Sequence, residues 1–313
     1  MVFNELNSVE HFIINQLSGV NLNEETPSEL LKEYKWEYKS SNQLNRSNKD
    51  ALIESELIDS LIRLNPEINQ NPNFADEVIY KLRAILISVN QSGLVSANEE
   101  FHKWLRGDKS MPFGENNSHV PVNLIDFDDL SNNTYIITNQ FKIRQQETKI
   151  PDIVMFINGM PLVVGEAKTP VRSSVSWLDG AHEVHDIYEN AVPQLFVPNI
   201  LSFATEGKEL FYGSIRAPLE HWAPWRIDSG DNIVKKLGLS SIGEELVDLL
   251  SPERLLDILK NFSLFTTNKK RQRIKIICRF QQYEGANKIV DRVTKGDVKK
   301  GLIWHFQGSG KSL

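Results

Sequence analysis

The chain has 313 residues, 40% of them hydrophobic and 24% charged, which is long enough for two domains and ordinary for a globular protein. Its one cysteine, Cys278, excludes an internal disulfide and fits a reducing cytoplasm. No apolar run approaches the roughly 18 residues that a membrane helix needs, and a net charge of −6 excludes a uniformly basic surface but not local basic patches, which decide phosphate affinity.

The opening MVFNELNSVEHFII has no basic leader and no long apolar core, so no signal peptide is expected. The first fifty residues are polar and mixed, with the aromatic and basic stretch KEYKWEYKSS at 32–41. Residues 50–64 then place Leu52, Ile53, Leu57, Leu61 and Leu64 on one stripe, which predicts an amphipathic helix that Pro66 stops. A second helix is expected over 74–90, with Gly93 just beyond it, and a third over 96–106, ending at Gly107. After a loop-like stretch at 107–120 the period changes. Segments 134–143, 152–157 and 162–168 have strand composition, and apolar runs at 199–205 and 209–214 flank the turn Glu206-Gly207-Lys208. Residues 226–268 have the character of a connecting segment, in which Ser251 caps a helix with Pro252 at its first position. The basic run Lys269, Lys270, Arg271, Arg273 and Lys275 fits a solvated linker and a phosphate-facing patch equally well.

The chemistry concentrates in PDIVMFINGMPLVVGEAK, residues 151–168. Asn158-Gly159 is a strong hairpin signal. A turn centred on Gly159 sets Asp152 directly across from Glu166, and period-2 alternation puts Lys168 on the same face as Glu166. Two facing carboxylates repel unless a divalent cation lies between them. Mg²⁺ takes such oxygen ligands together with waters and phosphate, lowers the pKa of a bound water and stabilises charge on a scissile phosphate. Lys168 would orient or deprotonate that water, or neutralise the charge that develops. Spacing alone also allows the bland account, in which strand-end charges are solvated or paired with one another.

This stretch resembles the PD-(D/E)xK nuclease superfamily, and in particular the restriction subunit of type I restriction–modification enzymes. The resemblance implies that Asp152 and Glu166 are metal ligands and Lys168 the catalytic lysine. It also implies an acid on an early helix, for which Glu54 and Glu56 are the candidates. The family's glutamine and tyrosine on the following helix correspond to AHEVHDIYEN, where Tyr188 is present but Glu183 stands near the place of the glutamine. His182 and His185 have a spacing that permits metal binding, but no third His or Cys accompanies them, so surface or packing roles are expected.

At the far end, the strand-like GLIW at 301–304 leads into HFQGSGKSL. Gly308, Ser309 and Gly310 suit a phosphate-cradling loop, with Lys311 reaching the β- and γ-phosphates and Ser312 on Mg²⁺. His305 replaces the first glycine of the strict pattern, as is usual in the superfamily 2 helicases that this tail resembles. Upstream, Arg279-Phe280-Gln281-Gln282 resembles their adenine-reading Q motif, in which Gln282 would pair with adenine while Phe280 stacks. In a chain ending at Leu313 the remaining parts of the motor are missing, so hydrolysis of ATP by residues 1–313 alone is not expected.

The expected fold is α/β. A nuclease-like domain with a mixed sheet flanked by helices (1–225) is followed by connecting helices (226–268) and the start of a RecA-like helicase domain (269–313). The resemblance implies Mg²⁺-dependent endonucleolytic cleavage of double-stranded DNA coupled to ATP-driven translocation. The implied partners are modification and specificity subunits, and no membrane. The alternative is a DNA-binding motor module whose nuclease-like domain is structural and not catalytic.

Overall fold

The β-branched and aromatic runs in the middle of the chain form one sheet. A computed structural model describes residues 9–23, 35–169, 171, 174–227, 241–296 and 300–302. The strands are β1 (Glu37–Tyr38), β2 (Tyr135–Asn139), β3 (Ile153–Ile157), β4 (Met160–Ala167), β5 (Leu201–Thr205), β6 (Leu210–Gly213) and β7 (Ala223–Pro224), side by side in chain order. Neighbours are antiparallel except β1 with β2 and β4 with β5. A parallel pair needs a long crossover, and both crossovers are helical. Between β1 and β2 run α2 (Glu54–Leu64), α3 (Pro66–Gln70), α4 (Asn73–Ser92) and α5 (Leu94–Leu105), preceded in the chain by α1 (His11–Ser18). Between β4 and β5 runs α6 (Trp177–His182), which passes into a π-helical turn at Glu183–Tyr188. With helices on the sheet, the central strands β3 and β4 are buried at every residue, which explains their continuous apolar composition.

The β3–β4 hairpin carries the site, and its register depends on two local features. Asn158 and Gly159 both have positive φ, 50° and 77°, the conformation of a two-residue type I′ turn. Next to the turn Ile157 pairs with Met160 and Phe156 with Pro161, but Met155 pairs with Val163, Val154 with Val164 and Ile153 with Gly165. Leu162 is therefore an extra residue, a β-bulge that shifts the register by one. Continued one step, the register sets Asp152 across from Glu166. The expectation from a turn centred on Gly159 reaches the same pairing, but the physical cause is a tighter turn plus a bulge. Without the bulge, Asp152 would face Gly165, and Glu166 would belong to the other face. Gly165 is itself required, since a Cβ there would lie 2.1 Å from the Phe203 ring on β5.

After β7, α8 (Ser241–Leu249) and α9 (Pro252–Asn261) pack into the same core. Ser251 caps α9 as expected, accepting the Arg254 N–H at 3.3 Å, and Trp36 Nε1 donates to Leu250 O at 2.9 Å. The hairpin β8 (Ser263–Thr267) and β9 (Arg273–Ile277) precedes α10 (Phe280–Lys295). The basic run does not form one patch. Lys269, Lys270 and Arg271 are exposed, whereas Arg273 pairs with Glu99 on α5 at 2.5 Å. Lys275 is 3% exposed and donates to Asn199 O at 2.6 Å and Ile200 O at 2.8 Å. Alternation along β9 turns Arg273 and Lys275 towards α5 and the chain leading into β5, where both fasten the hairpin to the sheet domain, Arg273 at the surface and Lys275 sealed from solvent.

Gly159 O accepts the Ile53 N–H at 2.9 Å, so the hairpin turn abuts the start of α2. A Cβ at Gly159 would lie 2.3 Å from Ile53 O. Gly159→Ala combines the left-handed penalty with a backbone clash, and chemical denaturation should show a loss of about 2–4 kcal/mol. An unchanged midpoint would contradict this account of the turn.

Candidate active site

At the open end of the hairpin, Asp152, Glu166 and Lys168 come together as the spacing predicts. Asp152 Oδ2 accepts the Ala167 N–H at 2.9 Å, and Lys168 Nζ donates to Glu166 Oε1 at 2.7 Å. The register of β3 with β4, continued one step, sets the Asp152 and Glu166 carboxyls next to one another. Glu166 is only 2% exposed, and its Oε2 is sealed from solvent without a donor. Burial, reinforced by Asp152, pushes the Glu166 carboxyl well above the usual carboxylate range. Burial also raises Asp152, against the pull of the Ala167 N–H and Lys168. An undonated carboxylate oxygen beside a second carboxyl, with Asp152 still partly open to solvent, is a donor set that suits a hard cation. Among the described residues no three His, Cys, Asp or Glu side chains form a ready-made metal cage. The protein thus offers two carboxylates and leaves the remaining positions to waters, backbone and phosphate oxygens, the coordination Mg²⁺ prefers.

Glu183 joins this cluster, although its sequence neighbourhood signalled only a missing glutamine. Lys168 Nζ donates to Glu183 Oε2 at 2.5 Å, and Tyr188 OH donates to Glu183 Oε1 at 3.1 Å. Residues five apart point to different faces of an α-helix. The wide π turn at Glu183–Tyr188 closes i→i+5 and brings the two side chains to one face. Burial would raise Glu183, but the Lys168 and Tyr188 hydrogen bonds prevail and hold it below the usual range. His182 and His185 both bond Asp186, at 2.7 Å each, and face away as surface groups.

The early-helix acid is not where the resemblance puts it. Glu54 pairs with Arg83 at 2.5 Å and Glu56 with Lys39 at 2.9 Å. Both sit near the Gly159 turn, the length of a strand (roughly 17 Å) from Asp152. The acid beside the site is Glu10, 1% exposed at the start of α1 and joined to Asp152 through the side chain of Gln140. The spacing of Val9, Ile13, Ile14 and Leu17 carried a helical signal for this segment that the polar character of the first fifty residues obscured.

On the motor side, Gln282 lines a cleft of about 690 Å³ together with Arg216, Lys275 and Arg279, and its Oε1 accepts the Arg279 N–H at 2.8 Å. Phe280 is not free to stack on a base. Its ring is buried edge-on against Trp225, with centroids 5.1 Å apart. Gly308, Ser309, Gly310, Lys311 and Ser312 lie outside the described residues.

A family model described as Type I restriction enzyme R protein N terminus matches residues 21–221, and one described as SWI2/SNF2 ATPase matches residues 281–313. The chain is 32% identical to the type I restriction enzyme HindI endonuclease subunit of Haemophilus influenzae, over 84% of this chain and 25% of that protein. It is 25% identical to the putative type I restriction enzyme MjaIXP endonuclease subunit of Methanocaldococcus jannaschii, over 99% of this chain and 30% of that protein. The chain thus spans about a quarter to a third of the length of these relatives. Among the described residues no helix is long and apolar enough to cross a membrane.

Next to Tyr188, Glu189 is 1% exposed and meets Arg216 at 3.4 Å. Burial outweighs Arg216 and raises the Glu189 carboxyl from 4.5 to about 8. Its contribution to stability is therefore complete below pH 4.5 and is lost as pH rises through about 8. Glu189→Gln should flatten this decline, which in the wild type approaches about 1.4 kcal/mol per pH unit across that window. Denaturation series at pH 5, 7 and 9 would refute the assignment if the two proteins showed parallel slopes.

Proposed function

Because the chain belongs to the N-terminal family of type I restriction enzyme R proteins, we propose that it carries the DNA-cutting site of an ATP-driven restriction subunit. The reaction is Mg²⁺-dependent endonucleolytic cleavage of double-stranded DNA. It is coupled to translocation by a motor that begins within 269–313 and works with modification and specificity subunits. The observation that carries this reading is the orphaned Glu166 Oε2 beside Asp152, with Lys168 on the same face. The strand–turn–strand frame and the P-D…E-x-K residues support a PD-(D/E)xK core. The SWI2/SNF2 match at residues 281–313 supports the ATP motor, with Gln282, Gly308, Ser309, Gly310, Lys311 and Ser312 as its nucleotide contacts.

Asp152 and Glu166 would hold the ion, which supplies neutralisation of phosphate charge and an activated water. Burial alone would lower the Lys168 pKa, but Glu166 and Glu183 outweigh it and raise it above the ordinary lysine value. An ammonium that stays charged does not take a proton from water. Its part is to neutralise the charge that gathers on the phosphate in the transition state. Glu183, steadied by Tyr188, aims that ammonium.

One observation favours the second reading, a structural nuclease-like module: Lys168 is already tied to two carboxylates. The readings part on Lys168→Ala in the full-length assembled enzyme with Mg²⁺ and ATP. Plasmid cutting should fall at least about 100-fold, the cost of one transition-state donor, while DNA-stimulated ATP hydrolysis persists. Undiminished cutting would remove Lys168 from the chemistry.

A further inference from the structure

Asp152 is held by more than its own hairpin. While Oδ2 takes the Ala167 N–H, Oδ1 accepts a hydrogen bond from Gln140 Nε2 at 3.1 Å. The same nitrogen donates to Oε1 of Glu10 at 2.9 Å, and Asn139 Nδ2 reaches Glu10 Oε2 at 3.3 Å. A primary amide carries two hydrogens on one nitrogen, so Gln140 is satisfied by bridging both carboxyls, and bonds to charged acceptors are the strong kind. Its backbone is committed to the same place: the Gln140 N–H donates to Asp152 O at 2.9 Å and the Phe141 N–H to Pro151 O at 3.0 Å. Gln140 achieves this at φ 50°, in the left-handed region where a side chain is strained and glycine is not. A strained non-glycine backbone whose side chain ends between two acids points to a use for that side chain.

We propose that Gln140 is a positioning residue of the divalent-cation site. It fixes the rotation of the Asp152 carboxylate by tying Oδ1 to the buried Glu10, so that Asp152 faces Glu166 ready to share an ion. Glu10 thereby acts through Gln140 rather than as a ligand. This rests on the reading of Asp152 and Glu166 as the ion's ligands. Preorganisation of this kind is felt as affinity, because the ion need not order its own ligand.

The test is Mn²⁺ titration of the 313-residue chain followed by electron paramagnetic resonance, without nucleotide or DNA. The wild type should bind an ion that Asp152→Asn abolishes. Gln140→Met, of similar length but without donors, should weaken binding roughly tenfold, within the range seen for groups that orient metal ligands. Gln140→Gly, whose backbone suits the position, should weaken it equally, which separates positioning from folding. Glu10→Gln should also weaken binding, and the Glu10→Gln/Gln140→Met pair should be no worse than Gln140→Met alone. Wild-type affinity in both Gln140 variants, or strictly additive effects in the pair, overturns the positioning role alone. Absence of any Asp152-dependent ion in the wild type overturns the metal-site reading with it.

Discussion

The site depends on the register of one antiparallel pair. Asp152 and Glu166 meet because β3 and β4 are offset by the residue that bulges at Leu162. Although both faces of β3 and β4 are buried, they are not interchangeable, and a one-residue slip moves every side chain to the wrong side. The bulge is therefore a feature of the site although it lies at the turn end of the hairpin. Asn158, Gly159 and the start of α2 hold that end in place, and Gly165 admits the Phe203 ring next to Glu166.

Once the carboxyls face each other, burial makes the arrangement costly. Glu166 is almost sealed, its carboxyl raised by desolvation and by Asp152, and one of its oxygens has no donor. Lys168 offsets part of the cost, but Glu183 shares that lysine. Two carboxyls share one ammonium and Asp152 adds a third acid beside Glu166, so the cluster holds more acids than cations, an excess of acidic groups. In a fold whose other buried polar groups are mostly hydrogen-bonded, such an excess marks a place built to receive positive charge. The family assignment and this electrostatic imbalance are independent observations, and the proposed cutting site accounts for both.

Much of this was legible in the residues, because the signals were local. The helices at 54–64 and 73–92 and the strands on either side of Asn158-Gly159 follow from periodicity and turn chemistry. The P-D…E-x-K set needed only alternation and a turn. What was not legible needed contacts distant in the chain. Lys275 looked like part of a basic patch until β9 folded against the chain before β5 and buried it. Glu54 and Glu56 looked like helix acids near the site, but their helix meets the hairpin at its turn end. Glu10 and Gln140 have no motif, and only the fold brings them to Asp152. The turn that joins Glu183 to Tyr188 is π-helical, and no local composition announces that.

The central claim is that Asp152 and Glu166 share one divalent cation. The most direct measurement is an anomalous difference map from crystals of this chain soaked in Mn²⁺. The account predicts one peak between these two carboxylates, with Lys168 beside it. Ions bound only at other places, with none between Asp152 and Glu166, would contradict it.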